Sequence, residues 1–183
     1  MAVIIVEQED ICNVLLFYAY NKNVRKLFHI FFRDEDEDKR YEGDVVDLEE
    51  RYFIRAEMAY DGVPTVFYDI MLHGTNERVG TIDLRFSLEG DMYYYGHVGY
   101  HINKPYRGHS YAYHACRVLF KIAKEEYHMD ELIITCSTEN IASYKTLKKL
   151  GGELLEVVDV PEYHSLYKRG ETQKYIFKYK IKI

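Results

Sequence analysis

Gly96-His97-Val98-Gly99-Tyr100-His101-Ile102-Asn103 reads as a strand. Lys104-Pro105-Tyr106 then turns it into Arg107-Gly108-His109-Ser110-Tyr111-Ala112, where an amphipathic helix begins. A small-residue turn feeding a helix N-terminus leaves several backbone N–H groups unpaired and directed at one place. The helix dipole adds partial positive charge there, so the turn suits a phosphate or pyrophosphate. The spacing predicts a helix over 111–127, with Ala112, Ala115, Cys116, Leu119, Ile122 and Ala123 in one apolar stripe. Ser110 stands at its N-cap position.

Upstream of this stretch the pattern alternates. Val66 to His73 and Val79 to Phe86 read as strands joined by a hairpin turn at Gly74-Thr75-Asn76-Glu77. Glu89-Gly90-Asp91 leads into a third strand, Met92 to Asn103, completing an antiparallel meander. Before Val66 the chain reads as mostly helical. Ile11, Val14, Leu15 and Tyr18 recur at helical spacing, Val24 to Phe32 continues the pattern, and Leu48 to Met58 predicts another helix, ended by Asp61-Gly62 and Pro64.

Downstream, Leu132-Ile133-Ile134-Thr135-Cys136 is a short apolar run of the kind buried on both faces. A helix separates it from the previous strand, which predicts a parallel crossover. Asn140 to Leu150 reads as a helix capped by Gly151-Gly152. Strands Leu154 to Val160 and Lys174 to Ile183 follow. The fold class is mixed α/β.

Composition narrows the function classes. A chain of 183 residues, 48% hydrophobic, buries about 70% of its unfolded surface as one domain. A net charge of −6 argues against gripping nucleic acid through phosphate neutralisation and is compatible with cationic small molecules. Cys12, Cys116 and Cys136 are an odd number at wide spacings, which suits reduced thiols in a cytoplasm. No stretch reads as a signal peptide, and Val14 to Tyr20 is too short to span a bilayer. His97 and His101 share a strand face but sit about 13 Å apart, too far for one metal ion, so no metal is expected. The oligomeric state, a homodimer included, is not written in the sequence.

From about Val66 to the C-terminus the order and residues resemble the GNAT superfamily of acyl-CoA-dependent N-acetyltransferases. The resemblance rests on Gly96 to Ile102, the loop Tyr106 to Ala112, and Asn140-Ile141-Ala142-Ser143 followed by Leu150-Gly151-Gly152. It implies a GNAT-like mixed sheet with N-terminal helices, the meander, and then α-β-α-β-β, with the acyl-CoA site where central strands splay. It implies one N-acetyltransferase domain over 1–183, divided into an acceptor-side segment, 1–65, and an acyl-CoA-binding core, 66–183. Acetyl-CoA is the implied co-substrate. Carried over, Arg107, Gly108, His109, Ser110, Tyr111 and Ala112 cradle the pyrophosphate, mostly by backbone. Tyr100, His101 and Ile102 flank the pantetheine arm, and Asn140 and Ser143 face it.

Three positions depart from the family pattern. Pro105 stands where Gln or Arg is usual, Ser110 replaces the second glycine or alanine, and Leu147 replaces the tyrosine seven residues after the asparagine. That tyrosine is the usual general acid; Tyr144, one turn earlier, is a candidate substitute. His97 is the candidate general base. The acidic run Asp34 to Asp38 is either a solvated loop or a lure for a cationic amine. Tyr93-Tyr94-Tyr95 either lines an acceptor pocket or alternates between core and surface. The expected activity is acetyl transfer to a primary amine of a small molecule. A protein or peptide N-acetyltransferase and a non-catalytic acyl-CoA-binding module are the alternatives.

Overall fold

The computed structural model describes residues 39–54 and 62–181. Contacts divide the chain into Met1–Asp36 and Glu37–Ile183, and every described residue belongs to the second unit. The helices expected before residue 33, the acidic run Asp34 to Asp38 and Cys12 lie outside the described residues.

Five strands form the first sheet, in the order β1-β2-β3-β4-β5: β1 Arg40–Tyr41, β2 Val46–Ile54, β3 Thr65–Leu72, β4 Arg78–Arg85 and β5 Val98–Ile102. Every pairing in it is antiparallel. The expected meander is present, but β2 occupies much of the predicted helix Leu48 to Met58. A bulge between Glu50 and Tyr52 explains the misreading. The extra residue, Arg51, shifts the alternation by one, leaving Leu48, Tyr52 and Phe53 at four- and five-residue spacing that mimics a helical stripe. Pairing with β3 outweighs the helix propensity of Glu49-Glu50-Arg51.

The third meander strand is shorter than predicted. Gly90–Tyr94 winds into a 3-10 helix, and the strand begins only at Val98. The tyrosines Tyr93, Tyr94 and Tyr95 therefore do not alternate along a strand. Tyr93 donates to Glu156 at 2.5 Å, and Tyr95 hydrogen-bonds Ser165.

Helix α1, Tyr111–Glu125, packs against β2, β4 and β5. It buries Ala115, Cys116, Val118, Leu119, Ile122 and Ala123, close to the predicted stripe. Burial of one such leucine contributes about 2–3 kcal/mol. The second sheet has the order β6-β8-β7, with β6 Glu131–Ser137, β7 Glu153–Asp159 and β8 Gln173–Lys180. Helix α2, Ile141–Lys149, joins β6 to β7, and a short helix α3, Ser165–Lys168, precedes β8.

The predicted parallel crossover between β5 and β6 does not form as a ladder. The sheets meet instead at one isolated antiparallel bridge, Gly96 with Ile134. The His97 N–H donates to the Ile133 carbonyl at 2.8 Å. Beyond this point β5 and β6 share no ladder, and the second sheet, like the first, is antiparallel throughout. That parting of the strands positions the site.

Candidate active site

Where the sheets part, a cavity of about 330 Å³ opens between β5, β6 and the start of α2. Gly99 and Tyr100 form one wall, Cys136 the other, and Asn140 and Ser143 close it at the helix. Three residues from separate stretches of sequence, Tyr100, Asn140 and Ser143, thus meet as the resemblance implies. Asn140 caps α2: its Oδ1 accepts the Ser143 N–H at 3.0 Å, which leaves its NH₂ as the group to meet a ligand.

The remaining cofactor candidates sit along β5 and the turn after it. His101 is exposed and Ile102 half-buried. The Ile102 carbonyl accepts from Arg107 Nε at 3.0 Å, so the turn folds back on its strand. Lys104–Tyr106 is a single 3-10 turn that accommodates Pro105 within its first residues. Gly108 adopts φ +88° and Ser110 φ +61°. Arg107, Gly108, His109 and Ser110 are exposed, Tyr111 and Ala112 half-buried, and His109 stacks on Tyr111. The first N–H groups of α1 have no intrahelical acceptor, so they face outward, available to an anion. From Tyr100 to Asn103 the strand rises about 10 Å, linking the cavity to this turn.

His97 is held differently from a general base. Its Nδ1 accepts the Ile133 N–H at 2.8 Å. The neutral ring then carries its proton on Nε2 and presents a donor. Burial, reinforced by the Arg85 charge, lowers its pKa to about 4. The imidazole stands in for a strand carbonyl and straps the two sheets together. Tyr144 packs its ring on Tyr175 and Phe177 of β8, at centroid distances of 4.8 and 5.8 Å. Leu147 is fully buried, and its carbonyl accepts the Tyr179 hydroxyl at 2.8 Å.

Among residues that sequence reasoning passed over, Arg85, Glu171 and Lys174 line the same cavity, and Asp83 lies beside its Gly99 wall. Asp83 on β4 pairs with Gly99 on β5, and its Oδ2 takes Arg85 at 2.8 Å and the Gly99 N–H at 3.3 Å. A Cβ on Gly99 would lie 2.7 Å from Asp83 Oδ1, so only glycine leaves room for that carboxyl. Burial raises the Asp83 pKa to about 6, against the lowering influence of Arg85 and the Gly99 N–H. Arg85 also lines the cavity and donates to the Gly96 carbonyl at 3.2 Å. Lys174, nearly buried, pairs with Glu171 at 2.8 Å on the far side. The alternation in Asp83-Leu84-Arg85 places both charges on one face. Their register against Gly99 is a tertiary fact the local pattern does not hold.

Coenzyme A fits these residues. Tyr100 lines the cavity, and its Oη is buried without a hydrogen-bond partner. The exposed turn before α1 presents N–H groups without intrahelical acceptors at the other end.

A cleft between parting strands, reached past an exposed turn at a helix N-terminus, is the arrangement that the sequence resemblance implies. Residues 15–153 match the acetyltransferase (GNAT) domain, and the chain belongs to the GNAT acetyltransferase family. It is 33% identical over 54 residues to the uncharacterized N-acetyltransferase YnaD of Bacillus subtilis. That match spans 30% of this chain and 32% of the relative's length. A GNAT-family acetyltransferase from Bacillus anthracis superposes with TM-score 0.57 at 18% identity, covering 78% of this chain and 98% of that one. An acetyltransferase from Salmonella typhimurium, which modifies the N-terminal serine of the ribosomal protein L7/L12, gives TM-score 0.51 at 16% identity, over 64% of each chain. These structures share the fold.

Proposed function

We propose that the chain transfers an acetyl group from acetyl-CoA to a primary amine on a small molecule. The observation that carries this reading is the cavity at the β5–β6 parting, where Tyr100, Asn140 and Ser143 converge one strand away from the α1 anion site. Arg107 to Ala112 hold the pyrophosphate chiefly by backbone N–H groups. Tyr100, His101 and Ile102 flank the pantetheine arm, and Asn140 and Ser143 face it. Bound acetyl-CoA supplies a thioester poised for attack, and holding the amine beside it provides much of the acceleration. No metal enters this reading, nor does nucleic acid or a membrane.

Asp83 takes the amine proton. Its Oδ2 is occupied by Arg85 and Gly99, which leaves Oδ1 to accept. A carboxyl with a pKa of about 6 is ionised at neutral pH yet basic enough to accept a proton in the transition state. His97 holds the sheets at the distance the cleft requires, and Tyr144 shapes the wall between α2 and β8.

A peptide or protein acceptor is the second reading, favoured by the likeness to the Salmonella enzyme that acetylates a protein N-terminus. Thiol release from acetyl-CoA, measured across polyamines, amino acids, aminoglycosides and peptides, separates the two. Acetyl-CoA at a hundred times its Kd should first stabilise the fold by about 2.7 kcal/mol in thermal unfolding. An unmoved melting temperature under saturating acetyl-CoA sinks both readings.

A further inference from the structure

The charges around the cavity at the β5–β6 parting do not cancel. Arg85, Arg169 and Lys174 line it against one carboxylate, Glu171, with Asp83 beside the Gly99 wall. Each acid already has its cation. Asp83 Oδ2 takes Arg85 at 2.8 Å, and Glu171 Oε2 takes Lys174 at 2.8 Å. Arg85 also donates to the Gly96 carbonyl at 3.2 Å. Among the described residues, Arg169 pairs with no carboxylate; its Nη2 donates to Tyr95 Oη at 3.5 Å. The chain carries −6 overall, yet this cleft holds one positive charge more than its acids neutralise.

Arg169 is placed to meet a ligand. It follows α3 in the connection from β7 to β8 and stands exposed at the edge of the cavity. Tyr95 steadies it there. The Tyr95 hydroxyl also hydrogen-bonds Ser165 of α3, and the Tyr95 ring centroid lies 5.8 Å from the Arg85 guanidinium. A 3.5 Å hydrogen bond to a neutral hydroxyl is weak and readily exchanged for a charge-assisted one. Lys174, nearly buried, keeps Glu171 from neutralising Arg169 two residues away. A guanidinium fork grips a carboxylate through two parallel N–H donors. One surplus charge matches a monoanion, whereas a phosphate monoester, at about −2, would leave the cleft negative.

We propose that Arg169 sets acceptor specificity, and that the acceptor is an amine bearing a free carboxylate, of the amino-acid class. The inference rests on the acetyltransferase reading above. The carboxylate is anchored at the β7–β8 edge while the amine reaches the thioester beside Gly99 and Asp83. Arg169 takes no part in the bond changes, which remain amine plus thioester to amide plus thiol. A polyamine or aminoglycoside, cationic throughout, meets like charge at this edge and is rejected. A peptide keeps its α-carboxylate far from its terminal amine and loses the anchor.

The test measures thiol release from acetyl-CoA with the common amino acids, β-alanine and γ-aminobutyrate, each beside its primary amide, together with spermidine. For the best acid, wild-type kcat/KM should exceed that of its amide about 100-fold, the worth of a charge-assisted pair. Arg169→Gln should bring that ratio to within threefold of one, chiefly through KM for the acid. Arg169→Lys, which keeps the charge and loses the fork, should retain about a tenfold preference. Arg169→Glu should invert it. Calorimetric Kd for acetyl-CoA should stay within twofold in all three.

Amides, spermidine or peptides turned over as well as the best acid overturn the proposal with wild type alone, so the result does not depend on any variant folding. A preference for the acid that survives Arg169→Gln overturns the role of Arg169. A wild type that binds acetyl-CoA and acetylates none of the acids overturns the carboxylate assignment and leaves the cofactor reading in place. A wild type that does not bind acetyl-CoA removes the acetyltransferase reading as well.

Discussion

Asp47 on β2 is a buried carboxylate and Asp83 on β4 a half-buried one of the same sheet, and they are treated in opposite ways. Asp47, with a side chain 2% exposed, accepts from Arg40 at 2.9 Å, His73 at 2.7 Å, the Gly43 N–H at 3.0 Å and the Gly74 N–H at 3.4 Å. Burial alone would raise its pKa; the hydrogen bonds, His73 foremost, outweigh burial and bring it to about 2. Asp83 has one guanidinium and one backbone N–H, both on the same oxygen, and burial wins. A carboxylate with all its lone pairs matched fixes a corner of the fold. One left partly unmatched keeps chemistry in reserve.

The largest effect should come from breaking the matched site. Asp47→Ala strands the Arg40 and His73 side chains and two turn N–H groups in the β1–β2 and β3–β4 corners. Denaturant unfolding should show a loss of about 3–5 kcal/mol, the usual range for removing one partner of a buried pair. A loss below about 1 kcal/mol would mean that Asp47 is no more structural than a surface ion pair, and the contrast would collapse.

A smaller effect is expected in how stability follows pH. The raised pKa of Asp83 contributes stability that is present below its unfolded value and lost as pH rises through about 6. His97 carries the opposite sign: its pKa, lowered to about 4, gives stability present above pH 6.5 and lost as pH falls through 4. The two offset each other, so wild-type stability should be nearly flat between pH 7 and pH 4. Below pH 4, protonation of Asp47 removes its share as pH falls through about 2. Asp83→Asn leaves His97 opposed only by exposed His73, whose pKa the Asp47 hydrogen bond raises. That variant should lose about 2–3 kcal/mol between pH 7 and pH 4, two pKa units being worth that much. The same variant should lack the limb near pH 6 in kcat/KM. A variant whose stability stays flat in acid denies the offset.

How far the site was legible follows from which physics built each part. The turn Arg107 to Ala112 and the cap Asn140 are local constructions: a glycine, a helix start and a side chain three residues from its N–H. Residue order alone exposes them. Strand β2 was not legible, because the bulge at Arg51 breaks the alternation that announces a strand. The 3-10 turn at Gly90–Tyr94 hid for a related reason, since consecutive tyrosines favour a strand by propensity and tertiary packing overrode it. Asp83, Arg85 and the strap at His97 depend on register between β4, β5 and β6. His97 in particular shows the same residue letter as a base, and only the Ile133 N–H aimed at its Nδ1 distinguishes a strap from a proton acceptor.

The smallest prediction extends the contrast from side chains to backbone. Ser110 holds φ +61° and ψ +17° at the N-cap of α1, and its side chain makes no capping hydrogen bond. A left-handed conformation costs a non-glycine residue about 1–2 kcal/mol. Glycine would relieve that strain while adding unfolded-state entropy worth about 0.4–1 kcal/mol. Because no cap bond is lost, Ser110→Gly should stabilise the protein by about 0.5–1 kcal/mol in thermal unfolding. If the turn holds pyrophosphate through backbone N–H groups, as proposed, affinity for acetyl-CoA should be unchanged within twofold. A marked loss of affinity with the expected gain in stability would show that the Ser110 hydroxyl itself grips the anion. The turn would then join Asp83 as a place where this protein accepts strain to keep a group ready for its ligand.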